Sequence, residues 1–139
     1  MPIFRQVTEI EQGVKTETRR VCHPDDELIN GVLYHAGRRK WAVGQTYAIV
    51  PKRGQAAVQS GRIRIVNIHR EQLQQIDHAS ALLEGVGAVE QYRDLWESIN
   101  GHTPHRWSHN PAVWVVRFEF VPNEMFIQTA YEVDQHEQR

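Results

Sequence analysis

Residues 13–20 read GVKTETRR. Eight positions gather a glycine, a lysine, two threonines, a carboxylate and two adjacent arginines. These are groups that hold anions, move protons or attack carbonyl carbon. The same octet also fits a solvated, charged turn of the kind common where strands begin. Arg19 and Arg20 carry guanidinium forks suited to phosphate or carboxylate. In an extended chain they point to opposite faces, so at most one of them lines a given cleft.

Three other clusters carry chemistry-bearing side chains. GRRKW (37–41) sets Arg38, Arg39 and Lys40 beside Trp41. That combination offers phosphate contacts plus a stacking plane, or else a wet turn next to a buried aromatic anchor. HTPHRWSH supplies His102, His105 and His109, but no cysteine pair or HExxH motif accompanies them, so no metal site is expected. Cys22 and His23 are adjacent and point apart in an extended chain, which argues against a thiolate pair.

The chain has 139 residues and a net charge of −1. That length suits a single domain over 1–139, with a core at about 4–121 and a polar C-terminal tail over 122–139. The lone cysteine allows no intrachain disulfide. The stretch MPIFRQVTEI lacks the apolar region of a signal peptide and no apolar run approaches a membrane span, so a soluble, cytoplasmic protein without membrane contact is expected. Charge is unevenly spread: residues 1–70 hold 12 Lys/Arg against 6 Asp/Glu, and residues 71–139 hold 4 against 11. A basic face for a phosphate-bearing partner is one reading of that split; interleaved halves that cancel in space is the other.

The elements that must position these groups follow from periodicity. Phe4, Val7 and Ile10 stand at helical spacing, with Gly13 where a helix-ending glycine belongs. An extended stretch follows, then a weakly periodic excursion over 22–44, a candidate cover for a cleft. QTYAIV (45–50) reads as a strand. GRIRIVNI (61–68) alternates Ile63 and Ile65 against Arg62 and Arg64, a half-buried strand with a basic outer face. EQLQQI and HASALLEG read as helical, stopping at Gly85. Residues 88–99 place Val89, Tyr92, Leu95, Trp96 and Ile99 on one helical stripe. AVWVVRFEFV (112–121) is the strongest strand, with Trp114, Val116, Phe118 and Phe120 on its core face. The expected class is α+β, around a small mixed barrel of about five to six strands flanked by two to three helices.

The octet after an N-terminal helix resembles the signature of ASCH domains, small PUA-like β-barrels whose pattern is Gly-x-Lys-x-x-Glu-x-Arg. Gly13, Lys15 and Arg20 match, and Thr18 stands where glutamate is usual. WAVGQTY (41–47), the ALLEG helix and the NPAVWVVRFEF strand follow in the family's order. The resemblance spans about residues 4–121 and is nearest to phage and prophage versions. It implies RNA or a small modified nucleoside as partner and no cofactor. Some ASCH proteins remove the acetyl group of N4-acetylcytidine with a lysine, a threonine three residues later and a glutamate in the following helix. Carried over, these fall on Lys15, Thr18 and Glu84, and Thr18 departs from the general pattern in the hydrolases' direction. Other relatives bind RNA or read modified bases without catalysis, and ribonuclease activity has been ascribed to some. A phage accessory protein contacting a host protein is a further alternative. The family pattern favours Arg20 over Arg19 as the cleft arginine; the cation–aromatic chemistry of the second cluster offers Arg38, Arg39 and Trp41 as further ligand contacts.

On chemical grounds the set suffices for amide hydrolysis without a metal. A partly buried lysine can lose its proton near neutrality and activate the threonine hydroxyl. Glutamate can orient the lysine or relay a proton, and backbone N–H groups or an arginine can hold an oxyanion. Geometry sets one condition. Residues three apart in a regular strand face opposite ways, so Lys15 and Thr18 share a cleft only if the chain bends between them. Glu84 is oddly placed for a carboxylate, at a helix C-terminus that disfavours negative charge by up to about 1 kcal/mol. That points to a nearby cation, for which Lys15 is the candidate.

Overall fold

The alternating segment after Gly61 and the apolar run after Ala112 form the two longest strands, and everything else is arranged around that pair. The computed structural model describes residues 4–123. In chain order they form α1 (Val7–Glu11), β1 (Glu17–Val21), β2 (Asp26–Ile29), β3 (Val32–His35), β4 (Arg38–Ala42), β5 (Thr46–Ala48), β6 (Gly61–Gln72), α2 (His78–Leu83), α3 (Val89–Asn100) and β7 (Ala112–Pro122). One sheet runs β1-β7-β6-β5 and a second runs β2-β3-β4. Every pairing within them is antiparallel. The larger sheet curls into an open half-barrel. The expectation of a mixed barrel of five to six strands is thereby corrected: the described residues hold seven strands, antiparallel throughout, because no βαβ crossover returns a strand in parallel.

β6 shows why strict alternation stops short. The β6–β7 register shifts between Ile65 and Asn67, which leaves Val66 as an extra, exposed residue. Such a bulge changes the parity of the strand. Ile63 and Ile65 before it and Ile68 after it therefore face the same core. That core also takes Phe4, Ile10, Leu33, Trp41, Ile49, Trp114, Val116 and Phe118. The other face of β7, with Val113 and Val115, packs on Leu73, Ile76, Ala81, Tyr92 and Trp96. β7 is thus buried on both sides, with helices α2 and α3 covering the second face. The segment EQLQQI, read as helical, is instead the end of β6 followed by a single 3-10 turn at Leu73–Gln75.

Residues 22–44 are not an irregular excursion but a three-stranded meander. Its strands are only four or five residues long and mostly exposed, so apolar periodicity was weak. The turns carry the signal instead. Asn30 and Gly31 have φ of 49° and 76°, and Ala36 and Gly37 have 49° and 78°. Both pairs fit two-residue hairpin turns that need left-handed backbone at both positions. The meander is riveted to the main sheet by Asp26. Its carboxylate accepts hydrogen bonds from Trp114 Nε1 (2.9 Å) and the His23 amide (2.9 Å) and pairs with His35 Nδ1 (2.6 Å). Burial works against ionisation of Asp26, yet the bonds from His23, His35 and Trp114 outweigh it and hold the carboxyl below its ordinary value. The polar tail expected over 122–139 lies, beyond Asn123, outside the described residues.

Because the folded Asp26 pKa is depressed, its stabilising effect is present above the unfolded value and is lost as pH falls through the folded one. Asp26→Asn is expected to lower unfolding free energy by about 1–3 kcal/mol at pH 7, and urea titrations should show that deficit shrinking below pH 4.

Candidate functional site: a cleft at the edge of the sheet

β1 begins at Glu17, so Lys15 lies before the strand. The chain turns at Gly13, before Lys15, and not between Lys15 and Thr18: Lys15, Glu17 and Arg19 share one face, as strand alternation requires. Gly13 makes the turn at φ +75°, and the Val14 and Lys15 amides both donate to Glu9 O (2.8 and 3.0 Å). The C-terminus of α2 docks on this passage. Thr16 N–H donates to Leu83 O (2.9 Å) and Lys15 Nζ to Glu84 O (3.0 Å), satisfying carbonyls that a helix end leaves open. Gly85 follows with φ +91°, and a Cβ there would lie 3.0 Å from Gln6 Nε2 and 3.3 Å from Lys15 Cβ. Glycine is therefore needed twice over, for the left-handed turn and for the close approach.

Lys15 Nζ also donates to Glu84 Oε1 (2.9 Å) and to Glu17 O (2.9 Å). All three ammonium donors are used, and the cation inferred beside Glu84 is Lys15 itself. Arg19 extends the pairing: its guanidinium reaches Glu17 Oε1 (2.7 Å), Glu84 Oε2 (3.1 Å) and Glu71 Oε2 (3.4 Å). Lys15, Arg19, Glu17 and Glu84 are all buried, a balanced set of two cations and two carboxylates. Burial pushes the Lys15 ammonium below the ordinary lysine value, against the pull of Glu84. For Arg19 burial acts the same way, but Glu84 and Glu17 outweigh it and the pKa is raised.

Thr18 and Arg20 occupy the opposite face of β1. Arg20 Nε donates to Thr18 Oγ1 (3.3 Å), and its guanidinium stands 5.1 Å from the Phe4 ring centroid. The arginines part as alternation requires, Arg19 into the buried pairs and Arg20 towards Phe4. A cleft of about 400 Å³ wraps this edge of the sheet. Lys15, Thr18, Arg19, Arg20 and Glu84 all border it, between the Phe4–Gln6 segment and α3. No Lys15–Thr18 hydrogen bond is formed, and the two residues border the cleft from opposite faces of the chain.

The remaining candidates lie elsewhere. Trp41 is 4% exposed within the main core, so its ring is not a stacking surface, and the Arg38–Trp41 cluster is split. Arg38 and Arg39 are exposed on β4, and no residue of 22–44 borders the cleft, so the meander does not cover it. Among the described residues no three His, Cys, Asp or Glu side chains gather as metal ligands would. Two participants escaped the sequence reading. Glu17, 1% exposed, sits two residues from Arg19 on one face of β1, an E-x-R spacing that signals a pair but not its burial. Tyr92, read as core only, borders the cleft, and its hydroxyl is held well above the ordinary value by burial and by Glu84.

Fold and cleft together define an antiparallel half-barrel flanked by helices, with its pocket beside the edge of β1 that pairs with no strand among the described residues. The same fold occurs in the ASCH domain of Lactobacillus crispatus JV V101, 16% identical, with a TM-score of 0.56 over 84% of this chain and 70% of that one. It also occurs in a DUF984 protein of Enterococcus faecalis V583, 13% identical, with a TM-score of 0.55 over 83% of this chain and 69% of that one. Identities this low establish shared architecture alone. No family model and no curated protein matches the sequence.

Removing one partner from a buried ion pair leaves an uncompensated charge and costs about 3–5 kcal/mol. Glu84→Ala is expected to destabilise by that amount in urea denaturation, while exposed Arg38→Ala stays within about 0.5 kcal/mol of the parent.

Proposed function

We propose that the cleft recognises a modified nucleoside, free or within RNA, and hydrolyses the amide of an N4-acylated cytidine. The reading draws on the ASCH-like fold and motif order. One observation carries it: the buried Lys15–Glu84 pair, 2.9 Å apart, in the wall of the pocket that also holds Thr18. The Lys15 amine, its charge disfavoured by burial, takes the Thr18 hydroxyl proton through one intervening water as Oγ attacks the amide carbonyl, the two side chains having no direct hydrogen bond. The oxyanion forms beside the Arg20 guanidinium, which already donates to Thr18 Oγ1. Collapse breaks the C–N bond, and the N4 amine leaves with the proton from Lys15. Cytidine departs, and water then hydrolyses the acyl-threonine ester. Glu84 keeps the lysine aimed and offers a relay for the proton.

Incubation with N4-acetylcytidine should release cytidine, and Lys15→Ala or Thr18→Ala should lower the rate by about 10²–10⁴-fold. Activity should rise with pH and level off below the ordinary lysine pKa of 10.5, because only the neutral amine accepts the proton. Absence of turnover in the parent, or full activity in either variant, refutes the hydrolytic reading.

A second reading is favoured by the surface. Arg38, Arg39 and Lys40 are consecutive exposed cations on β4, and Arg62 and Arg64 are exposed on β6, a distribution suited to an RNA backbone. Non-catalytic RNA binding would weaken with salt, and Arg38→Ala with Arg39→Ala should reduce the log–log slope by about 0.7 per lost contact. Salt-independent binding argues against it.

A further inference from the structure

β1 is paired along one edge only among the described residues. Two bonds fix the phase of that pairing: Phe118 N–H to Thr16 O (2.9 Å) and Cys22 N–H to Ala112 O (3.0 Å). In an antiparallel ladder the bonded positions alternate. Thr16, Thr18, Arg20 and Cys22 therefore turn their main-chain groups towards β7, and Glu17, Arg19 and Val21 turn theirs to the other side. The Glu17 carbonyl is occupied by Lys15 Nζ. The main-chain N–H and C=O of Arg19 and Val21 have no partner among the described residues. Arg19 borders the cleft, yet its side chain is 1% exposed while the residue as a whole is 5% exposed. What the cleft meets of Arg19 is thus its backbone.

An extended residue aims its N–H and C=O in one direction, a donor beside an acceptor. Buried or half-buried backbone groups are rarely left unpaired, so this edge points to a ligand that supplies the complement. We infer that the Arg19 main chain is the base-reading element of the cleft: its N–H donates to N3 and its C=O accepts from the N4–H of a cytosine ring. The inference rests on the nucleoside reading above and gives it a determinant of specificity. The ring would lie between the Arg20–Phe4 side and the Tyr92–Trp96 side of the pocket, whose aromatic rings are too deeply buried to stack on it and bound it by their edges. N4 then lies next to Thr18, the neighbour of Arg19 in sequence. A peptide strand is a poorer occupant. The open run is two residues with one end closed by Lys15, and the pocket of about 400 Å³ suits one small planar ligand.

The test uses the full chain, labelled with ¹⁵N, titrated with cytidine, 5-methylcytidine and N4,N4-dimethylcytidine. The Arg19 amide should move on cytidine addition. N4,N4-dimethylcytidine, which has no N4–H, should bind at least about tenfold more weakly, because a buried acceptor is left unpaired. 5-Methylcytidine controls for added bulk and should bind within about threefold of cytidine. Replacing arginine 19 by its α-hydroxy acid removes that one N–H alone and should weaken cytidine by a similar factor. Equal affinity for the dimethylated analogue, an unmoved Arg19 amide, no binding of any of the three, or displacement of the Arg19 signal by extended peptides alone overturns the inference. Cytidine binding at Arg19 without turnover of N4-acetylcytidine would sustain it while refuting hydrolysis, and turnover with an unmoved Arg19 amide would do the reverse.

Discussion

Two cations and two carboxylates with almost no access to water hold the N-terminal third of this protein against its helices. Lys15, Arg19, Glu17 and Glu84 come from the α1–β1 passage, β1 and the end of α2. Each charge would be costly alone, and the set is tolerable because every one has an opposite partner and further hydrogen bonds. The position of β1, the close of α2 at Gly85 and the walls of the cleft all depend on it. Within that set Lys15 and Arg19 are compensated by Glu84 and Glu17, and Arg5 and Arg20 line the pocket beside them. The exposed cations of β4 add longer-range attraction to phosphate, while on β6 Arg64 is paired with Glu119 and Arg62 is bonded to Thr46.

Much of this could be read from the sequence, and the reasons differ by element. The stripe of α3 and the two long strands were legible because each buries a continuous face. Lys15, Thr18, Arg19 and Arg20 of the octet border one cleft with Glu84. Even the awkward carboxylate at a helix end was informative, since the penalty on Glu84 required the cation that Lys15 provides. What stayed hidden was whatever depends on partners distant in sequence. Glu17 reads as any surface glutamate until Arg19 and Arg117 close on it. Trp41 beside three cations looks like a stacking platform until Leu33 and the strands of the main sheet bury it.

The meander shows the limit most clearly. Its strands carry too few buried side chains to leave a period, and its identity was encoded in Asn30–Gly31 and in Asp26, whose carboxylate finds Trp114 across 88 positions of sequence. The bulge at Val66 works similarly: alternation across 61–68 is real on each side of the extra residue, but only the register with β7 shows that parity has changed.

Among the described residues β1 pairs with β7 alone, and Glu17 faces Arg117 in that register. Among the described strands, the octet near the beginning of the chain therefore has none to lie against until residues up to 118 are available. Closing so long a loop is entropically costly and slow compared with local pairing. On a ribosome, the cleft would be among the last features to form, after both hairpins of the meander and both covering helices had emerged. Possession of the motif and possession of a site would be separated in time by the synthesis of nearly the whole described chain.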